Sequence, residues 1–289
     1  MIVDLHIHSK EGSDGRWTLD EIFAEAVHRR IDIMAITDHD SVRAQAGAIA
    51  HAKAAGIRYI TGAELNVTFS HPGYRNGKSV ALDFLAYGFD IEDARLVGKL
   101  GELAAFRERR AAQILDNLNR ELRPQGVAEL TAEDMAAIQA TADGSIGRPH
   151  IADYLIAKGI VTSKQEAFDR YLVKCDVPKM PLRLDEAADL VHAAGGQLVL
   201  AHPNDPNGTS LVALTSSLAE QQAIIRESML DAIDGVECWH SRHDQATRES
   251  YVSFAQEHGL SLTGGSDCHQ DPVLMGTVPV PEYVADQLA

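Results

Sequence analysis

Apolar residues along the chain alternate between two rhythms. Short, nearly unbroken runs rich in Val, Ile and Leu are followed by longer stretches in which apolar positions recur every three or four residues, the patterns of buried strands and of amphipathic helices. "MIVDLHIH" (1–8) reads as a strand, "TLDEIFAEAVHRR" (18–30) as a helix capped by Thr18 with Glu21 completing a capping box, and "IDIMAITDHD" (31–40) as a second strand. "SVRAQAGAIAHAKAAG" (41–56) is a helix ended by Gly56, "IRYITGAELNV" (57–67) a third strand and "VALDFLAYGF" (80–89) a fourth. A long charged helix, "LAAFRERRAAQILDNLNREL" (103–122), stops before Pro124. Residues 100–190 then carry one helical pattern after another and no convincing strand. The alternation resumes with "LDEAADLVHAAGG", "QLVLAHP", a helix before Asp231, "IDGVECWH", "RESYVSFAQEHG" and "LSLTGGSDCHQ". Strands separated by helices of this length predict a mostly parallel α/β sheet, built from residues 1–99 and 191–289, with residues 100–190 as a helical insertion.

Size and composition narrow this further. A chain of 289 residues with 45% hydrophobic content can bury the core of one α/β barrel carrying an inserted module. Its formal net charge of -16 disfavours duplex nucleic acid and anionic membranes as partners, because both are repelled by the mean field. No apolar run approaches the roughly 20 residues a membrane helix needs. Asp4, His6, His8, Lys10 and Glu11 interrupt any leader-like start, so a cytoplasmic location is expected. Cys175, Cys238 and Cys268 are too few and too scattered for a disulfide framework, which fits a reducing compartment.

Candidate chemistry collects where each apolar run ends. His6 and His8, Asp38 and His39, Glu64, Asp83, His202, His240 and His243, and Asp267 and His269 all lie at the carboxyl end of a strand. Parallel barrels gather their chemistry on that rim, and residues i and i+2 of a strand face the same way. So many imidazoles and carboxylates in one cavity are electrostatically costly unless cations bind them. Divalent metals are the economical explanation: nitrogen and oxygen donors without a cysteine pair suit Zn, Mn or Fe in a catalytic site.

"DLHIHSKEGSDG", "AITDHD", "GAELNV", "LAHP" and "GGSDCH", in that order, resemble the signature set of the polymerase and histidinol phosphatase (PHP) family of metal-dependent phosphoesterases. "SIGRPHIADYLIAKGIV" followed by "AFDRYLV" further resembles the helical insertion of a subgroup acting on nucleotide-like and ribose-like phosphates. The resemblance implies a distorted (βα)7 barrel with a helical insertion over the active-site mouth. It also implies two or three divalent ions held by His6, His8, Asp14, His39, Glu64, His202, Asp267 and His269, with Glu64 bridging. The family usually has histidine in the fourth strand, where this chain has Asp83, still a good oxygen ligand.

The implied reaction is hydrolysis of a small phosphorylated ribose, nucleotide or short oligonucleotide, as a monoester or a cyclic diester, by a hydroxide bridging the ions. Asp267 would assist the attacking water. His202 or His243 would protonate the leaving group, a role closed to His202 if it is a full ligand. Arg148 and His150 in "GRPH" offer an anion clamp at a helix start, or equally a helix signal with a salt-bridging arginine. Arg242 and His243 are candidate substrate contacts, and His240 fits either that role or a ligand's. Asp38 is a candidate orienter of a ligating imidazole, Asp4 a polar group at a strand start, Cys268 a packing residue, and His71 an exposed residue of a Pro/Gly loop. Two other readings stay open: an amidohydrolase acting on a C–N bond, and a noncatalytic metal-binding interaction module.

Overall fold

A computed structural model describes residues 1–141, 147–178 and 180–288. It divides into two compact units, Met1–Lys99 with Pro181–Ala289, and Leu100–Met180. The first unit opens with β1 (Ile2–Ile7), α1 (Leu19–Arg29), β2 (Ile31–Ile36), α2 (Gln45–Ala55) and the two-residue β3 (Arg58–Tyr59). These three strands form a parallel sheet in the order β1-β2-β3. Thr18 accepts from the Glu21 amide while the Glu21 carboxylate accepts from the Thr18 amide, which closes the expected capping box. Ile22, Phe23 and Ala26 of α1 and Ala48 and Ala52 of α2 pack with Ile31 and Met34 in one buried cluster. Cys268 lies in that cluster as a packing residue.

The third predicted strand divides, because Ile60 and Thr61 break it into β3 and β4 (Gly62–Phe69). β5 (Val80–Tyr87) follows, and it runs antiparallel to both neighbours instead of joining a parallel array. The reason is local: the link between Phe69 and Val80 is too short to hold a crossover helix, so the chain returns as a hairpin. α3 (Ala94–Leu122), α4 (Ala132–Thr141), α5 (Arg148–Ala157) and α6 (Lys164–Ala167) come next. Ala111, Ile114, Leu115, Leu118 and Leu122 make one stripe of α3, which packs with Ile138, Ile151, Leu155 and Leu172 as the second unit's own core. Ser145 and Ile146 of the insertion motif lie outside the described residues.

The first unit resumes with α7 (Leu184–Ala193), β6 (Gln197–Leu200), α8 (Leu218–Ser228), β7 (Gly235–His240), α9 (Gln245–His258) and β8 (Ser261–Gly265). α7 thus belongs to the first unit, although it begins within the stretch 100–190. β6, β7 and β8 pair in parallel, giving the second sheet the order β4-β5-β6-β7-β8. Two isolated parallel bridges, Ile7 with Cys268 and His39 with Glu64, link the ends of the two sheets. Among the described residues no helix is long and apolar enough to cross a membrane.

Two polar residues depart from or sharpen the sequence reading. His71 is buried, not exposed: its Nδ1 accepts from the Gly73 amide and its Nε2 lies 3.2 Å from Glu227. Asp4 is buried and accepts from the Ser266 amide (2.8 Å), the Ser266 hydroxyl (2.7 Å) and the Gly276 amide (2.8 Å), so it binds β1 to the chain after β8. The contact is close. A Cβ on Gly265 would stand 2.3 Å from the His6 amide nitrogen and 2.4 Å from its Cβ. Gly265→Ala is therefore expected to destabilise the protein by about 1–3 kcal/mol, read as a lower denaturant midpoint, through forced separation of β1 from β8.

Candidate metal centre

Alternation along β1 aims His6 and His8 to the same side, with ring centroids 5.2 Å apart and both side chains fully buried. Glu64 on β4 and His202 just past β6 are also buried. His202 and Asp267 adopt positive φ of 26° and 55°, conformations that cost non-glycine residues energy and turn these side chains out of the strand direction.

Glu64 stands at the middle. Its Oε2 lies 3.4 Å from His6 Nε2, 3.3 Å from His8 Nε2 and 3.0 Å from His39 Nδ1, and its Oε1 lies 2.9 Å from His202 Nε2. Asp267 Oδ1 is 3.6 Å from His6 Nε2 and 3.3 Å from His8 Nε2. Around Asp14 Oδ1 stand His269 Nε2 at 3.2 Å and, at 3.8 Å, both His39 Nε2 and His8 Nδ1. Donor atoms of a tetrahedral ion with bonds of about 2.1 Å are separated by roughly 3.4 Å, which matches the distances from His6 and His8 to Glu64 and to Asp267; His6, His8 and Asp267 form one converging group and His6, Glu64 and His202 another. His6 Nε2, His8 Nε2 and Glu64 Oε2 are buried and make no hydrogen bond, as a lone pair reserved for a cation requires.

The other ring nitrogens are held by hydrogen bonds that fix each tautomer. His6 Nδ1 donates to Glu237 Oε1 at 3.0 Å, and His269 Nδ1 donates to the Asp267 carbonyl at 3.1 Å. His8 Nδ1 donates to Ser13 Oγ (3.3 Å), whose hydroxyl donates to Asp38 (2.8 Å), so Asp38 orients an imidazole through a serine. In all three the Nε2 lone pair faces the cluster. Glu237 was hidden from sequence reasoning. It lies fully buried in an apolar strand, and its second oxygen accepts from the His202 amide at 2.7 Å, so one carboxylate aligns two candidate ligands.

Residues 4–175 match the family model described as "PHP domain". The chain belongs to the PHP family. It is 30% identical to a 5'-3' exoribonuclease of Haemophilus influenzae over 92% of this chain and 89% of that protein. It is 27% identical to a 3',5'-nucleoside bisphosphate phosphatase of Chromobacterium violaceum, over 92% and 87%. Its fold resembles the crystal structure of a Bifidobacterium adolescentis protein provisionally named a metal-dependent phosphoesterase, with a TM-score of 0.76, 26% identity, and coverage of 99% of this chain and 94% of that one.

In this PHP chain the remaining candidates fall into distinct places. Asp83 is buried but outside the groups of converging donor atoms; its Oδ1 accepts from Asn66 Nδ2 at 2.6 Å, and burial, then the Glu64 charge, raise its pKa. His243 is 1% exposed and donates from Nδ1 to the Cys238 carbonyl at 3.0 Å. Burial lowers its pKa to about 4, so at neutral pH its Nε2 carries no proton to give. Arg242 reaches the Asp267 edge of the cluster, while Arg148 in the second unit pairs with Asp176 at 2.7 Å. His150 accepts from the Gly147 amide through Nδ1 at 3.0 Å.

The imidazoles and carboxylates shift one another in opposite directions. Burial alone would lower the histidines, but Glu64 and its neighbours outweigh it, pushing His39 up to about 10 and His202 to about 9 and holding His6 well above the usual range. Burial would likewise raise Glu64 and Asp267, yet the facing imidazoles hold both far below the carboxylate norm.

Two outcomes follow for this centre. In chelator-treated protein His39 and His202 carry protons that a cation must displace, so metal uptake is expected to release protons and to strengthen as pH rises from about 6.5 towards 9–10. The same raised values stabilise the chelated fold fully below pH 6.5, and that contribution disappears as pH rises through them. Calorimetric metal titration in buffers of different ionisation heat and thermal unfolding with and without Mn check both. Separately, Glu237→Gln is expected to weaken metal binding by about 10–100-fold while the fold is retained, measured against a competing chelator.

Proposed function

We propose that this chain is a metal-dependent phosphoesterase that hydrolyses a small phosphorylated ribose or nucleotide, as a monoester or a cyclic diester. The observation that carries this reading is the pair of converging donor groups that share His6, one with His8 and Asp267 and one with Glu64 and His202, in which His6 Nε2, His8 Nε2 and Glu64 Oε2 are buried and make no hydrogen bond. His39, Asp14, His269 and His202 extend the set on either side of Glu64, which suits two or three ions of Mn, Zn or Fe. The substrate class is supported by relatives named for acting on RNA and on nucleoside bisphosphates. The bridges at Ile7 and Glu64 favour reading β1, β2 and β4–β8 as a distorted seven-stranded barrel, with the cluster at its carboxyl rim.

Bound divalent ions would lower the pKa of a water and neutralise charge on the phosphoryl oxygens. The protein's own contribution is orientation: Glu237, Ser13 with Asp38, and the Asp267 carbonyl hold three imidazoles in the ligating tautomer. His240 accepts from the Arg242 amide through Nδ1 (3.3 Å), which leaves its proton on Nε2, 3.4 Å from Asp267 Oδ2. That places His240, as buried as His243, beside Asp267 at the edge of the cluster. Arg148 and His150 are assigned to a second phosphate of the substrate within the helical insertion. In support, among the described residues the Arg148 and Arg110 guanidinium groups share the carboxylate of Asp176. Three free, buried cysteines accord with a cytoplasmic setting.

Inorganic phosphate is expected from a panel of nucleotide and sugar phosphates when Mn is supplied, and none from chelated protein. Asp267→Asn should lower turnover by at least about a hundredfold without shifting the unfolding midpoint downward. Turnover of C–N substrates in place of phosphoesters would overturn the reading in favour of an amidohydrolase.

A further inference from the structure

Asp205 and Arg242 lie in different loops, one past His202 after β6 and the other past His240 after β7. Asp205 is wholly buried, and its side chain is fully used: Oδ1 accepts from the Asn207 amide at 2.9 Å and Oδ2 from Arg242 Nη1 at 2.6 Å. The loop closes tightly over it. The Asp205 amide donates to the His202 carbonyl, the Ser210 hydroxyl donates to the Asp205 carbonyl, and a Cβ on Gly208 would stand 2.6 Å from Oδ2. A buried carboxylate with this one cation is a fixed anchor, unlike a surface ion pair whose arginine is free to swing away.

The other end of the arginine faces the cluster. Nη1 also approaches Asp267 Oδ2 at 3.4 Å, and the side chain remains 42% exposed. Asp267 is thereby divided, with Oδ1 towards His6 and His8, and Oδ2 towards His240 and Arg242. Asp205, His240 and Asp267 are close enough to hold a cation, and the guanidinium supplies that charge. Its Nε and Nη2 donors have no partner among the described residues. Left to Asp267 alone, the guanidinium would collapse onto a candidate metal ligand. Asp205 takes the shorter contact and keeps the planar fork at the rim.

We propose that Asp205 is a positioning residue that holds Arg242 beside the metal centre so that the arginine's outward donors receive nonbridging oxygens of the phosphoryl group under attack. The proposal rests on the phosphoesterase reading and adds to it the group that orients the phosphate. Anchoring removes the rotamer freedom of Arg242 during folding, so that freedom is not lost again when phosphate binds. Arg242→Lys cannot substitute, since a point charge offers no planar fork.

The test is titration of inorganic phosphate into the Mn-loaded protein, with metal content measured in parallel. Arg242→Gln is expected to weaken phosphate binding by about tenfold or more, and Asp205→Asn by a similar factor, with metal content unchanged. The double variant should bind phosphate no more weakly than Arg242→Gln alone. Guanidinium added to Arg242→Ala should restore phosphate binding when Asp205 is present and not in Asp205→Asn/Arg242→Ala. Phosphate affinity unchanged in Arg242→Gln, or two losses that multiply in the double variant, would overturn the proposal. Should Asp205→Asn fail to fold, Arg242→Gln and the guanidinium rescue of Arg242→Ala decide it alone. Wild-type protein that binds phosphate yet releases none from any ester would overturn the substrate reading and leave the anchor standing.

Discussion

Glu64 is a fully buried carboxylate with four imidazoles around its two oxygens, and the rest of the first unit is arranged to make that tolerable. An isolated carboxylate in such a place would take up a proton or unfold its surroundings. Here it is faced by His6, His8, His39 and His202, drawn from three separate strand ends. The same residue joins the two sheets through its backbone, since its amide donates to the Asp38 carbonyl and its carbonyl accepts from the Asp40 amide. Strand pairing and charge pairing therefore stand or fall together.

Around this pivot lies a ring of residues that never reach the cluster themselves. Glu237 aligns His6 and the His202 backbone, Asp38 works through Ser13 on His8, and Asp4 fastens the chain after β8 to β1. Each is a buried acid whose oxygens are occupied by donors on a different segment. Such acids add little to stability as isolated pairs, but they fix direction, and direction is what a metal ligand needs. Asp205 and Arg242 extend the principle outward, from ligands to a donor that faces the opening.

Asp83 stands where the sequence resemblance leads to the expectation of a histidine. A histidine there would add another nitrogen donor beside Glu64. Aspartate instead adds a second buried acid, raised by burial and by the Glu64 charge and held by Asn66 on the neighbouring strand. Asn66 and Asp83 are register partners on β4 and β5, so the antiparallel hairpin itself brings the amide to the carboxyl.

Much of this was written locally in the chain. Strand ends, the capping box at Thr18 and the i, i+2 pairs His6/His8 and Asp267/His269 follow from rhythms and turn chemistry that a short window carries, and those side chains do meet around Glu64 and Asp14. The reversal of β5, the burial of His71, and the tasks of Glu237 and Asp205 were not legible. Glu237 looks like a polar interruption of an apolar strand and Asp205 like any acid in a Pro/Gly loop, because nothing nearby in sequence names their partners. Those partners, His6 and Arg242, lie 231 and 37 positions away and are brought into reach only when the strands pair. Sequence fixes which side chains can ligate, since periodicity and residue chemistry are local. Tertiary structure alone decides which nitrogen faces the ion and which acid holds it there, since a hydrogen bond requires two groups within about 3 Å whatever their separation along the chain.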